Sequence, residues 1–408
     1  MNLTIAILGL AVLILLHEAG HFYVARAVGM SPRRFYLGFP PALVRVRRKG
    51  IEYGIGAIPL GGYVKIPGMH RPAPSDLDVQ FGPLLREQPR LVGPVARVKR
   101  GLEVGDLEAA RAALPELESA TEEAHLSASA RRLATRTLTE LRDGLAADAY
   151  WRQRTWKRIA VIFAGPGMNL LIAVLLPMIA FLIGAPGKTN RIVKKVDADH
   201  PAARMGLKPG DEIVGVDGVR TPDYQSLSRR IRGSGGRPIV VTVVRDGMPR
   251  TLGPARPVKE NGRYILGFEP GWQTTQLGFG AALRKSVGDN WRAAKATVTF
   301  LPRLFTESGR ENVSGPVGIT DVSRQAIGLN FALFLQILGL ISLSLAILNL
   351  LPLLPLDGGH ILFSLIEGLR GRAVGREVYE RVSALGIALF MILMFIGLSN
   401  DLSRIGAG

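Results

Sequence analysis

Three ionisable residues near the N-terminus have the types and the spacing of a zinc-dependent hydrolase. His17, Glu18 and His21 stand in the order His-Glu-Ala-Gly-His. In a helix, residues four apart point only about 40° away from each other, so both imidazoles share one face and Glu18 lies beside them. Neutral imidazoles bind zinc, the ion lowers the pKa of a bound water to about 7, and a nearby carboxylate accepts its proton. The pattern predicts peptide hydrolysis with Glu18 as the general base.

The apolar segment that leads into this motif strengthens the prediction. Residues 3–28 are long and apolar enough to enter a bilayer, and they contain the whole motif. An ionisable side chain that faced lipid would cost roughly 2.5 kcal/mol or more, so such residues at membrane depth are interpreted as functional. The segment lacks a basic N-terminal region, and we therefore expect it to be retained rather than removed as a signal peptide.

A catalytic zinc site needs a third protein ligand and an open position for water. The chain has no cysteine, so the ligand must be His, Asp or Glu. Asp357 is the candidate, because it follows an apolar run in which Pro352 and Pro355 must interrupt a helix, and broken backbone at membrane depth is tolerated where it lines a site. Two alternatives remain open: Asp357 caps a helix that starts at the next residue, or His360 is the ligand.

Composition indicates a polytopic α-helical membrane protein. Of the 408 residues only 21% are charged, the mean hydropathy is +0.21, and about four segments could span a bilayer, at residues 3–28, 159–183, 331–356 and 384–398. The net charge of +18 is carried by bases in loops beside apolar runs, without a nucleic-acid-binding motif. We expect membrane lipid as a partner and no nucleic acid.

The loops predict the orientation of the spans and three further regions. Basic residues flank the first loop, including Arg33, Arg34 and Arg158, which predicts that this loop is cytoplasmic; residues 187–330 are also basic, so charge alone leaves the topology open. Residues 51–58 and 59–66 have the pattern of a β-hairpin around a Gly-rich turn. Residues 72–150 indicate a soluble helical insertion, and residues 186–270 a compact α/β or mostly β module.

Together these motifs resemble the site-2 protease family, in its bacterial branch with a PDZ domain. The resemblance rests on five stretches in family order, at residues 17–21, 59–65, 163–169, 315–319 and 349–359. It implies that His17, His21 and Asp357 bind one zinc ion and that Glu18 is the general base. It also implies substrate contacts at Asn349 and Pro352, and at Gly56 and Ile58 in a membrane-associated β element that pairs with an unwound substrate by strand addition.

The resemblance further implies a biological setting. The module at 186–270 would be an extracytoplasmic PDZ-like domain, either a size filter or a passive spacer. The protein would lie in the bacterial cytoplasmic (inner) membrane. Its substrates would be single-pass membrane proteins, such as anti-sigma factors or remnant signal peptides. It would cut them after a first extracytoplasmic cleavage by another protease. Two departures from the family pattern stand out: the second proline of the 349–359 motif falls one position later, and the long insertion suggests a cytoplasmic partner.

Two other functions remain as alternatives: a catalytically silent PDZ-bearing membrane scaffold, and a membrane-anchored zinc protease that acts on soluble substrates.

The expected organisation has eight parts. They are the first transmembrane helix with the zinc motif (1–30), the β-hairpin region (31–70), the helical insertion (71–150), the second transmembrane helix (151–185), the PDZ-like domain (186–270), a linker with an amphipathic segment (271–330), the third transmembrane helix with the Asp-Gly motif (331–369), and the fourth transmembrane helix with the C-terminus (370–408).

Overall fold

The structure, a computed structural model, describes residues 2–69, 71–260, 262–306, 310 and 315–406. Part of the predicted linker at 271–330 therefore lies outside the described residues. The α-helices are α1 (Asn2–Ala27), α2 (Pro74–Glu87), α3 (Val92–Glu103), α4 (Leu107–Glu123), α5 (Ala128–Leu145), α6 (Thr155–Ile183), α7 (Pro201–Arg204), α8 (Tyr224–Gly233), α9 (Phe279–Phe300), α10 (Pro316–Leu329), α11 (Phe331–Asn349), α12 (Asp357–Arg370) and α13 (Arg376–Gly406). The strands are β1 (Arg34–Arg48), β2 (Ile51–Lys65), β3 (Ala185–Val196), β4 (Glu212–Val216), β5 (Val219–Arg220), β6 (Ile239–Arg245), β7 (Met248–Ala255), β8 (Val258–Glu260), β9 (Arg263–Ile265) and β10 (Phe268–Thr275).

The chain divides into two compact units. The first comprises Met1–Leu175, Val287–Gln325 and Ile337–Gly408, and the second comprises Leu176–Ser286 and Ala326–Gln336. Every residue of the predicted zinc site belongs to the first unit. The sheet that contains β3 to β7 and β10 belongs to the second.

Four helices of the described chain are long and apolar enough to cross a membrane, which confirms the predicted number. They are α1, α6, α11 and residues Glu377–Ser403 of α13. The last is longer than the predicted 384–398, because the helix continues into polar residues at both ends. The predicted third span ends earlier than expected: α11 stops at Asn349, and residues 350–356 are non-helical before α12 begins. Pro352 and Pro355 explain this interruption, since proline lacks the N–H that a helix interior requires.

The first sheet differs from the predicted hairpin. Residues 51–58 do not pair with 59–66. Instead Ala42–Arg48 and Ile51–Gly56 form an antiparallel hairpin around Lys49 and Gly50, whose φ angles of 48° and 80° suit a tight turn. Residues 34–37 then lie between 52–55 and 62–65, with Leu37 opposite both Ile55 and Gly62. The predicted partners were wrong because alternation marks strands but does not identify their neighbours.

Helices α2 to α5 fill the region of the predicted insertion and have their own apolar core. Its fully buried side chains come from all four helices and include Leu77, Phe81, Val98 and Leu117. Asp143, near the end of α5, binds Arg33 at 3.1 Å and Lys65 at 2.9 Å. These ion pairs join the insertion to the start of β1 and the end of β2, where Arg33 donates its backbone N–H to the carbonyl of Lys65 at 2.7 Å.

The second unit contains a β-sheet and short helices. The strand order is β10-β3-β4-β6-β7, with β5 beside β4. Its core includes Val193, Ile213, Leu227, Val241 and Val243, drawn from the strands and from α8. The alternating burial of β6 places every second side chain in this core.

Candidate active site

Three metal-binding side chains meet in the first unit. Nε2 of His17 lies 3.3 Å from Nε2 of His21, and Oδ2 of Asp357 lies 3.3 Å and 3.4 Å from these two nitrogens. Ligands on a tetrahedral zinc with bonds of about 2.05 Å stand about 3.3 Å apart. The triangle therefore has the size of one face of a zinc coordination sphere. Oδ2 of Asp357 is buried and has no hydrogen-bond partner among the described residues, as expected of an atom reserved for a cation.

Local backbone structure explains how Asp357 reaches the histidines of α1. Asp357 is the first residue of α12, the N-cap position is Leu356, and no side chain caps this helix. The capping alternative for Asp357 is therefore excluded. A β-carbon on Gly359 would lie 2.5 Å from the backbone nitrogen of Leu354, so only glycine lets the non-helical loop fold over the start of α12.

Hydrogen bonds to Nδ1 orient both imidazoles. His21 donates from Nδ1 to the carbonyl of Val161 at 2.8 Å, which leaves the Nε2 lone pair free for a metal. Nδ1 of His17 lies 3.2 Å from the side-chain amide of Asn169, whose Oδ1 is buried and otherwise without a hydrogen bond. With the amide oxygen turned towards His17, Oδ1 accepts the Nδ1 proton of His17, which satisfies these two atoms. That arrangement frees Nε2 of His17 as well.

Close packing of α6 against α1 depends on small residues. A β-carbon on Gly165 would overlap Nε2 of His21 and lie 2.8 Å from Cε1 of His17, and one on Gly20 would overlap the carbonyl of Ala164. The two helices approach each other through these glycines, as small residues allow inside membranes. Gly165 thus leaves the space in which a metal ion can sit.

Glu18 lies beside the open edge of the first sheet. A β-carbon on Gly62 would overlap Cγ of Glu18 and lie 2.8 Å from its Cδ. Gly62–Lys65 pairs with residues 34–37 on one side only, among the described strands. A peptide that extended this sheet would therefore pass next to Glu18.

The other predicted residues occupy different places. His360 bonds through Nδ1 to the hydroxyl of Tyr379 at 2.5 Å and stands outside the His-His-Asp group. Asn349 ends α11, and Pro352 is exposed in the loop before α12. Gly56 pairs with Ala42 inside the sheet, and exposed Ile58 pairs with Phe39. Contact of substrate with Asn349, Pro352, Gly56 and Ile58 stays a prediction.

Three residues that shape the site lie in the stretches 59–65 and 163–169 but were given no role at the metal, namely Gly62, Gly165 and Asn169. Asn169 gave the clearest signal, because it is an amide within an apolar span and is 1% exposed. The two glycines gave a weaker signal, because in a sequence a glycine that makes room for a side chain cannot be distinguished from one that makes a turn.

Comparisons with known proteins agree with this geometry. Residues 5–393 match the model of peptidase family M50. A protein of Mesorhizobium japonicum named as a zinc metalloprotease is 30% identical over 96% of both chains. The zinc metalloprotease RasP of Bacillus licheniformis is 28% identical over 99% of this chain and 100% of its own, and the regulator of sigma-W protease RasP of Bacillus subtilis is 28% identical over 96% of both. The chain therefore belongs to peptidase family M50, the site-2 protease family of membrane zinc metalloproteases.

Proposed function

We propose that this metalloprotease is an intramembrane endopeptidase that cleaves transmembrane segments of other proteins. The observation that carries the proposal is the triangle of His17, His21 and Asp357, whose edges of 3.3 to 3.4 Å fit zinc. Its two histidines lie on α1, a helix apolar enough to span a membrane. In this proposal the three residues are the zinc ligands and Glu18 is the general base.

The roles of the side chains follow from their surroundings. His17, His21 and Asp357 would hold zinc, which would polarise the scissile carbonyl and acidify a water molecule. Glu18 would accept a proton from the attacking water and deliver it to the nitrogen of the departing amine. Val161 and Asn169 hold the imidazoles of His21 and His17 with Nε2 towards the ion. Asp357 contributes a negative charge that offsets part of the charge of the ion.

The open sheet edge supports an extended substrate. The carbonyls of a transmembrane helix are tied up in its own hydrogen bonds, so the segment must unwind before hydrolysis. Among the described strands, residues 62–65 pair on one side only, so their other side can pair with an unwound segment, and Gly62 lies against the side chain of Glu18. Strand addition there would compensate the hydrogen bonds that unwinding breaks.

The second unit and the insertion complete the proposal. The β3–β10 sheet with α8 would be the PDZ-like domain that admits substrates already shortened by a first extracytoplasmic cut, and helices α2 to α5 would bind a cytoplasmic partner. One relative is named a regulator of sigma-W protease. Anti-sigma factors and remnant signal peptides are thus the substrate classes that we propose.

Substitution of the base tests this function. Purified protein and the Glu18→Gln variant should both carry one zinc ion per chain, but only the parent should cleave a membrane-spanning substrate. Mass spectrometry of the products should place the cut within the apolar segment of the substrate. Equal cleavage by the variant would disprove the role of Glu18, and a cut outside the apolar segment would instead indicate a membrane-anchored protease for soluble substrates.

A further inference from the structure

A basic cleft lies between the open sheet edge and α5, the last helix of the insertion. It has a volume of about 760 Å³, and its cations come from β1, β2 and α5. They are Arg34, Lys65, Arg131, Arg132 and Arg136. Glu140 is the one acidic residue of the lining, and it already binds Arg136 at 2.9 Å. The cleft therefore has a strong excess of positive charge.

Two of the cleft cations already bind acidic side chains outside the cleft, and two others, within the described residues, do not. Arg34 binds Glu52 at 3.3 Å, and Lys65 binds Asp143 at 2.9 Å. Arg131 and Arg132 are exposed, and within the described residues neither side chain forms an ion pair. Like charges on adjacent residues repel each other, so an acidic ligand would relieve that repulsion as well as add new ion pairs.

The cleft continues the edge that passes Glu18. Side chains alternate along a strand, so Tyr63 and Lys65 face the cleft while Val64 packs on the core beside Ala25 of α1. Gly62, next to Glu18, is three residues from Lys65, which is about 10 Å of extended chain. A strand bound to this edge would reach the cleft within about three to five residues of the scissile bond.

We propose that this cleft binds acidic side chains in the juxtamembrane segment of the substrate, on the side of the membrane that holds residues 28–154. The proposal rests on the proposed intramembrane cleavage and adds a specificity determinant to it. An acidic peptide fits better than a phospholipid, because most lining side chains are charged or carry a hydroxyl, and only Ala128 and the ring of Tyr63 are apolar. The hydroxyls of Thr135 and Thr139 already donate to the backbone carbonyls of Arg131 and Thr135, so recognition of carboxylates would rest on the cations of the cleft.

A matched pair of substrates tests the proposal in the full-length protein. One substrate carries three Asp or Glu residues in this juxtamembrane segment, and the other carries Asn or Gln at the same positions. In neutral-lipid proteoliposomes the parent should show a higher kcat/KM for the acidic substrate. Arg131→Gln/Arg132→Gln should reduce the acidic-to-neutral ratio about fivefold, mainly through KM, since exposed charge pairs contribute modestly. Arg100→Gln/Arg111→Gln, which removes two exposed arginines of the insertion outside the cleft, should leave the ratio unchanged.

A binding measurement tests the cleft proposal independently of the proposed catalytic function. Labelled acidic and neutral substrates are titrated into the Glu18→Gln protein, with and without the double cleft substitution, in low and high salt. The acidic substrate should bind more tightly only when both arginines are present, and salt should remove the difference. Equal binding of both substrates would overturn the cleft proposal even if cleavage is confirmed. An effect that follows added phosphatidylglycerol rather than substrate charge would overturn it in favour of a lipid site.

Discussion

The side-chain amide of Asn169 lies 3.2 Å from Nδ1 of His17, 152 positions away in the chain. Asn169 is almost fully buried, and its backbone carbonyl accepts a hydrogen bond from Ser342 at 2.9 Å. The amide thus has a fixed position from which it can set the tautomer of His17. This contact makes α6 part of the metal site although α6 supplies none of the three candidate ligands.

Substitution of Asn169 by Ala should weaken zinc binding without unfolding the protein. The imidazole of His17 would lose its orienting partner, and loss of such a partner lowers metal affinity about 10- to 100-fold. Competition with a zinc chelator, followed by metal analysis, measures the change. Ser344→Ala is the control, because Ser344 bonds to the backbone carbonyl of Leu340 on an exposed face of α11. Unchanged zinc affinity in Asn169→Ala would show that the amide only packs the helices.

Substitution of Gly165 by Ala should remove the metal. The added methyl group would overlap Nε2 of His21, so it would occupy space that the ion needs or displace the imidazole. Gly167→Ala, two residues along the same helix, is a close control, because its β-carbon would meet only the ring of Phe163, at 3.2 Å. Zinc content per chain should fall sharply in the first variant and not in the second. Retention of full zinc content by Gly165→Ala would contradict the proposed position of the ion.

Substitution of Gly62 by Ala should lower the rate of cleavage without lowering the zinc content. An alanine there would displace the side chain of Glu18, and a shift of about 1 Å at a catalytic group can cost about 100-fold in rate. We expect Gly62→Ala to keep its zinc and to lose about that factor in kcat/KM. Gly93→Ala is the control, since its β-carbon would meet no atom within 4 Å. If Gly62→Ala cleaves at the parental rate, the sheet edge does not approach Glu18 as closely as the structure indicates.

The sequence predicts the parts of this site that depend on local spacing. His17 and His21 share a helix face by period alone, and the apolar run around them implies membrane depth. Asp357 could be proposed because two prolines break its segment. Three contacts could not be predicted, because each joins segments that are distant in the chain. They are the packing of Gly165 against His21, of Asn169 against His17, and of residues 34–37 between two strands. Long-range register leaves little trace in one sequence.

A pH-dependent ion pair stabilises the second unit. Asp211 is 1% exposed and binds Arg245 through two bonds of 2.6 and 2.7 Å, and it accepts the backbone N–H of Lys208 at 2.8 Å. Burial alone would raise the pKa of this carboxyl, but the bonds from Arg245 and Lys208 outweigh burial and lower it below 3.8. The pair therefore contributes stability above the unfolded pKa of about 3.8, and the contribution is lost as the pH falls through the lower folded value.

Asp211→Ala should therefore destabilise the second unit at neutral pH by about 2 kcal/mol, the usual cost of breaking buried hydrogen bonds to a charged group. Trp272 lies in β10 of the same sheet and can report unfolding once the tryptophans at 151, 156 and 291 are replaced by Phe. Its fluorescence should give a lower Tm for Asp211→Ala than for the parent at pH 7, and a smaller difference as the pH falls below 3.8. Asp199→Ala, at an exposed position, should match the parent throughout. A deficit in Asp211→Ala that persists undiminished in acid would mean that the carboxylate stabilises this sheet through its shape and not through its charge.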